Sequence, residues 1–192
     1  MALDASKIKV GPGHFYIDVS VPTTGEALEL TAGVPADGTE LGLTDGEAVF
    51  TYEVEYFEVM ADQVLSPVAT FAQAERARLE FTMKEFSFAN VMAYLQQAVD
   101  QGAGQLITFG SNNITVCARS IVLVSEIPNC VGATMYTTIM LYSAYQSETA
   151  AMRFTRTGET LMKCTWVGIS DPTRDDGDQL GQLVVEQGAS GT

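Results

Sequence analysis

The chain contains a single histidine, His14, so any Ser-His-Asp or Cys-His relay would have to run through it. His14 opens an alternating strand just after the bend Gly11-Pro12-Gly13, a setting that suits a structural or exposed residue. The three cysteines, Cys117, Cys130 and Cys164, contain no C-x-x-C pair. Their odd number makes no disulfide framework and fits synthesis in a reducing compartment. A structural zinc site needs about four Cys or His ligands, and scattered residues of this kind would supply them only by coincidence in space. Glu53 and Glu55 stand at i and i+2 of one strand face, with Glu58 close by, as a glycosidase carboxylate pair could. An acidic strand face opposite a basic one, however, needs no catalysis. The run Asp171-Pro-Thr-Arg-Asp-Asp-Gly-Asp178 has the look of a calcium loop. Placing Gly177 at the sixth loop position puts Pro172, Arg174 and Leu183 at the first, third and twelfth, where an EF-hand needs oxygen ligands. An irregular cation site over Asp171–Asp178 stays open. No lysine follows a Gly-x-x-x-x-Gly spacing, so no phosphate-binding P-loop is present. No catalytic residue, cofactor or metal is therefore expected, and the chain is read as a non-enzyme.

The elements that would position these residues are mostly strands. Phe15, Ile17, Val19 and Val21 alternate along His14–Val21. Glu26–Gly46, rich in Gly, Thr, Asp and Pro, reads as a loop or long arm outside the core. Ala48–Met60 alternates Phe50, Tyr52, Val54 and Tyr56 against Thr51, Glu53 and Glu55; the aromatic face is expected in the core. Phe57 falls on the polar side and predicts a bulge or an edge there. Arg76–Glu85 alternates Ala77, Leu79, Phe81 and Met83 against Arg76, Arg78, Glu80, Thr82 and Lys84. Its mixed charges suggest pairing with the acidic face of the preceding strand. Between Ser87 and about Asp100 the period changes: Phe88, Val91, Met92, Leu95 and Val99 fit a helix, with Ser87 as N-cap. Further strands are expected at Leu106–Phe109, Ile114–Val124 and Val131–Tyr145. A hairpin is expected between Met152–Arg156 and Thr160–Ile169. The fold class is therefore mainly β: an antiparallel β-sandwich or barrel with one flanking α-helix and a long arm. Residues 1–185 form a single domain, with the arm at about 33–46 and the helix at about 87–100, and residues 186–192 a loose tail.

The charge balance narrows the functional classes. The 192 residues carry a formal net charge of −14, with 46% hydrophobic and 18% charged residues, an ordinary globular composition. Such acidity repels phosphate, which argues against a protein that grips nucleic acid or an anionic membrane. Residues 1–75 hold 13 acidic and 2 basic residues, so the acidity is concentrated there. The uncharged run Ile127–Ser147 is interrupted by Pro128, Asn129 and several Thr and Tyr, which excludes a membrane helix.

One order of segments is suggestive. Leu41-Gly42-Leu43-Thr44-Asp45-Gly46 precedes the acidic alternating strand, and Asp62-Gln63 and Pro67-Val68 follow it. A second alternating strand then closes with Lys84-Glu85 directly before the helix at Phe88–Val99, and the chain ends with CTWVGISDPTRDDGDQLGQLV. Over roughly residues 10–185 this order resembles the tail tube proteins of long-tailed bacteriophages, the major tail proteins. Related tubes occur in contractile tails, tailocins and type VI secretion.

The resemblance implies a structural virion protein, made in the bacterial cytoplasm, whose copies form hexameric rings that stack into a tail tube. Double-stranded DNA would pass through without specific binding. The implied partners are other copies of the chain and the tape-measure, tail terminator and distal tail proteins. Six copies multiply the charge sixfold, and within a Debye length of about 8 Å a negative lumen would keep DNA phosphates from sticking. Glu53 and Glu55 are the candidates for the lumen or the ring interface; Leu41, Gly42, Thr44 and Asp45 are the candidates for an inter-ring arm. On this reading, removal of Gly33–Gly46 leaves a folded subunit unable to polymerise. A secretion-system tube protein is the nearest alternative, and a carbohydrate-binding β-sandwich the main competitor from another class.

Overall fold

The computed structural model describes residues 13–60, 66–96, 99–100, 106–108, 116–127, 134–152, 154, 156 and 158–188. Among them the chain is mainly β, built on one antiparallel sheet with one helix. The strands of the main sheet are β1 (Gly13–Ile17), β4 (Thr39–Glu40), β5 (Thr44–Val59), β6 (Ala69–Met83), β9 (Arg119–Ile127), β10 (Met135–Gln146), β11 (Met162–Gly168) and β12 (Gly181–Gly188). Two short pairs, β2 (Leu30–Thr31) with β3 (Val34–Pro35) and β7 (Val99–Asp100) with β8 (Ile107–Thr108), stand apart from it. The helix α1 covers Phe88–Tyr94.

Neighbouring strands run in the order β4-β1-β9-β10-β11-β6-β5, with β12 on β10. The two ends of this order are one stretch of chain. Thr39 and Glu40 pair with Ile17 and Tyr16, and the Leu41 amide donates to the Phe15 carbonyl at 2.8 Å. Two residues later the Leu43 carbonyl accepts from the Lys84 amide at 2.9 Å, and Thr44 pairs with Met83. Residues 39–45 therefore close the sheet into a barrel, which removes its edges there. Gly42 makes the crossing possible: its φ of +67° favours glycine, and a Cβ would collide with the Glu85 carboxylate. Across the interior, the rings of Phe15 on β1 and Phe81 on β6 stack with centroids 3.8 Å apart.

The barrel core follows from alternation. Ala77, Leu79, Phe81 and Met83 on β6 are all buried, as are Ile121 on β9, Leu141 on β10 and Trp166 on β11. The run Ile121-Val122-Leu123-Val124 is buried on both faces, which explains why it is apolar throughout. Its outer face, with Met140 and Tyr142 of β10, lies under a strap carrying Val19, Leu28 and Leu30. The expectation that Glu26–Gly46 stays outside the core is thus corrected: Leu28, Leu30 and Leu41 are buried apolar anchors in an otherwise polar stretch.

Other boundaries also move. Ser87 caps α1 as expected, its side chain accepting from the Asn90 amide, but the helix ends at Tyr94 with Leu95 as C-cap, and Val99–Asp100 is strand. The hairpin expected between Met152–Arg156 and Thr160–Ile169 is not seen among the described residues: Met152, Phe154 and Arg156 lie outside strands, and Arg153, Thr155 and Thr157 lie outside the described residues. β11 pairs instead with β6 over Met162–Val167 and with β10 over Trp166–Gly168. Strand β12 runs to Gly188, pairing with Met135, three residues past the expected end of the domain at residue 185. Cys130 lies outside the described residues.

Candidate functional site

The hairpin β5–β6 is longer than the wall it belongs to. From Arg78 to Met83, β6 pairs with β11 on one side and β5 on the other. From Ala77 back to Ala69, among the described strands, it pairs only with β5, and β5 itself has no partner on its far side. Tyr52–Val59 and Ala69–Ala77 therefore form a two-stranded ribbon whose outer edges have no strand partner among the described residues. Such edges are templates for further strands.

Paired residues of an antiparallel ladder share a face. Phe50 with Leu79, Tyr52 with Ala77 and Val54 with Glu75 continue the face that lines the core. Thr51 with Arg78, Glu53 with Arg76 and Glu55 with Ala74 form the other. The register shifts between Glu55–Ala74 and Tyr56–Ala72, so the extra residue is Gln73 of β6 and not in β5 at Phe57, where a bulge or an edge was expected; beyond it Phe57 pairs with Phe71. Tyr52, Tyr56, Phe57 and Phe71 are between 53 and 64% exposed, with Met60 and Val68 beside them. The expected burial of Tyr52 and Tyr56 is corrected: the alternation is present, but both side chains are exposed, and no layer of described residues covers them. The Tyr52 hydroxyl bonds the Glu75 carboxylate, which holds its pKa above the usual value.

Glu53 and Glu55 lie on the exposed outer face of the ribbon. Glu53 stands opposite Arg76, and the ion pair runs diagonally, Arg76 to Glu55 at 3.8 Å with both side chains well exposed. A pair so exposed contributes little to stability. The arm candidates are not gathered on an outer surface. Leu41 is fully buried, and Gly42 is the barrel crossing. Thr44 and Asp45 pair with Met83 and Thr82, and Asp45 takes Lys84 Nζ at 3.2 Å. Lys84 also meets Glu159 at 2.8 Å; these two carboxylates raise its pKa, Glu159 first.

The other candidates for chemistry have structural occupations. His14 is exposed, its Nδ1 2.8 Å from a Glu40 carboxylate oxygen. Cys164 is buried in the core, which pushes its thiol up to about 12, far from a reactive thiolate. In the acidic loop, Asp171 accepts from the Thr173 amide and hydroxyl, at 3.0 and 2.7 Å. Asp178 accepts from the Tyr142 hydroxyl at 2.6 Å and from Arg174 Nη2 at 2.7 Å. The Arg174 guanidinium lies 4.0 Å over the Tyr142 ring and donates to the Pro22 carbonyl at 2.7 Å. This brace ties β10, the strap and the turn before β12. Burial, then the bond to Asp178, pushes Tyr142 up to about 12; the Tyr142 bond chiefly holds Asp178 low. Among the described residues, no group of three or more His, Cys, Asp or Glu side chains converges as metal ligands would, and no helix is long and apolar enough to cross a membrane.

No protein-family model matches the chain, and no curated protein matches its sequence.

Proposed function

We propose that this chain is a structural subunit whose copies assemble into stacked hexameric rings, forming a phage tail tube through which double-stranded DNA passes. The observation that carries the reading is the β5–β6 ribbon, with two edges that have no strand partner among the described residues and exposed aromatics on both faces. A monomer rarely leaves such a surface in water; covering it with identical copies satisfies the backbone and buries the rings. The chain's acidity adds a channel that repels phosphate. Glu53 and Glu55, on the ribbon's outer face, are then lumen or ring-interface residues. The tape-measure, terminator and distal tail proteins are its further partners in the virion, and no catalytic step is assigned.

Negative-stain microscopy and particle masses of the purified chain over rising concentration test the proposal. Rings or tubes support it; a monomer at every concentration counts against it. One observation favours a second reading. Tyr52 and Tyr56 share a ribbon face and are exposed, as a sugar-stacking platform would be. A glycan-dependent rise in melting temperature, without oligomers, would favour a carbohydrate-binding module.

A further inference from the structure

Strand β10 is bordered by β9 along one edge, while β12 and then β11 follow one another along the opposite edge. Because β6 continues past the end of β11, its unpaired stretch Ala69–Ala77 runs on the far side of β12. At the root, Leu180, just before β12, and Ala77 of β6 both lie beside Gly168. Between the two strands lies a slot lined by Glu75 and Ala77 from β6 and by Gly181, Gln182 and Leu183 from β12; the two strand edges facing it have no partner among the described residues. The slot opens from a cleft of about 400 Å³, lined mainly by apolar side chains including Phe50, Met140, Leu141 and Leu183. Leu183 and Val185 stand on one face of β12 and are 53 and 59% exposed. The rim is acidic: Glu75 lies in the wall with Gly177, and Asp175 and Asp176 are exposed on the same turn. Arg174, the base of that turn, is already engaged by Asp178 and Pro22.

Two free edges call for one extended strand, an apolar floor calls for apolar side chains at every second position, and an acidic rim calls for bases between them. Residues Ser6-Lys7-Ile8-Lys9-Val10 have that pattern, and Lys7 and Lys9 are the only bases among the first 75 residues. We propose that the slot between β12 and the unpaired stretch of β6 accepts residues Ser6–Val10 of a neighbouring copy as an added strand. The contact is head-to-tail, which closes into rings when the rotation allows. It rests on the self-assembly reading above and names the segment that one copy gives to the next.

The test uses particle masses of the full chain beside its Lys7→Glu/Lys9→Glu variant, with unchanged unfolding midpoints confirming the fold. The double reversal is expected to weaken association about tenfold or more, and Glu75→Lys to recover part of the loss. Equal association of the parent and the reversed chain would overturn the proposal while leaving self-assembly standing. If the parent stays monomeric, a fluorescent peptide of residues 1–12 is titrated onto it instead. Salt-dependent binding that Leu183→Asp abolishes supports the slot, and absence of binding overturns it.

Discussion

The two halves of β6 share one alternating pattern and meet opposite fates. From Ala77 to Met83 every second side chain is buried, Leu79 completely, because β11 and the opposite wall of the barrel cover it. From Ala69 to Glu75 the ladder to β5 continues with aromatic and acidic partners, yet Phe71 is 59% exposed and its partner Phe57 55%. Alternation reports that a strand has two unlike faces; it does not report whether the same molecule supplies the cover. The difference between the halves is the physical argument for a partner.

The strongest test of this contrast is a pair of truncations. Leu79→Ala, in the covered half, should cost about 2–5 kcal/mol in a chemical unfolding titration of the monomer. Phe71→Ala, in the uncovered half, should change it by less than about 0.5 kcal/mol. Comparable losses would show that the ribbon is packed within one chain. Next, Gly42→Ala places a side chain at positive φ against the Glu85 carboxylate and should cost about 1–3 kcal/mol, because residues 39–45 complete the wall. For the same reason, deletion of Gly33–Gly46 is now expected to prevent folding, not merely polymerisation. An intact cooperative transition in the deletion would show that the barrel closes without this segment. Leu95→Ala should cost about 1–2 kcal/mol, since Leu95 caps α1 and is only half-buried against the core.

The smallest effect concerns pH. The folded-state pKa of Tyr142 is raised from 10.0 to about 12. Its contribution is therefore complete below pH 10 and is lost as pH rises from 10 towards 12. Asp178 has the opposite sign: its pKa is held below 3.8, so its contribution is present above that value and fades as pH falls below it. Tyr142→Phe should flatten the alkaline limb of a stability-versus-pH curve, and an unchanged limb would remove the brace from the account.

Much of the fold was legible. Leu79, Phe81 and Met83 announced a covered strand face, and Ser87 announced a helix start. What stayed hidden depended on contacts distant in sequence. Leu41 reads as part of a glycine-rich arm until Phe15 and Lys84 are seen pairing on either side of it. Met152–Arg156 offers a plausible local partner for β11, but β6 and β10 occupy its edges. At the candidate site, Glu53 and Glu55 were recognisable as an exposed acidic pair, whereas Tyr52 and Tyr56 were not recognisable as exposed. An aromatic at an alternating position looks the same whether its cover is intramolecular or supplied by another copy.

On the proposed function, identical chains cover the exposed half of β5–β6. Particle masses of the parent chain and of Phe57→Asp/Phe71→Asp, measured over one concentration series, test it most directly. Discrete multiples of the chain mass, up to six and beyond, are expected for the parent, with their loss in the double variant at an unchanged unfolding midpoint. A parent that remains at one chain mass throughout, or a double variant that associates equally well, would contradict it.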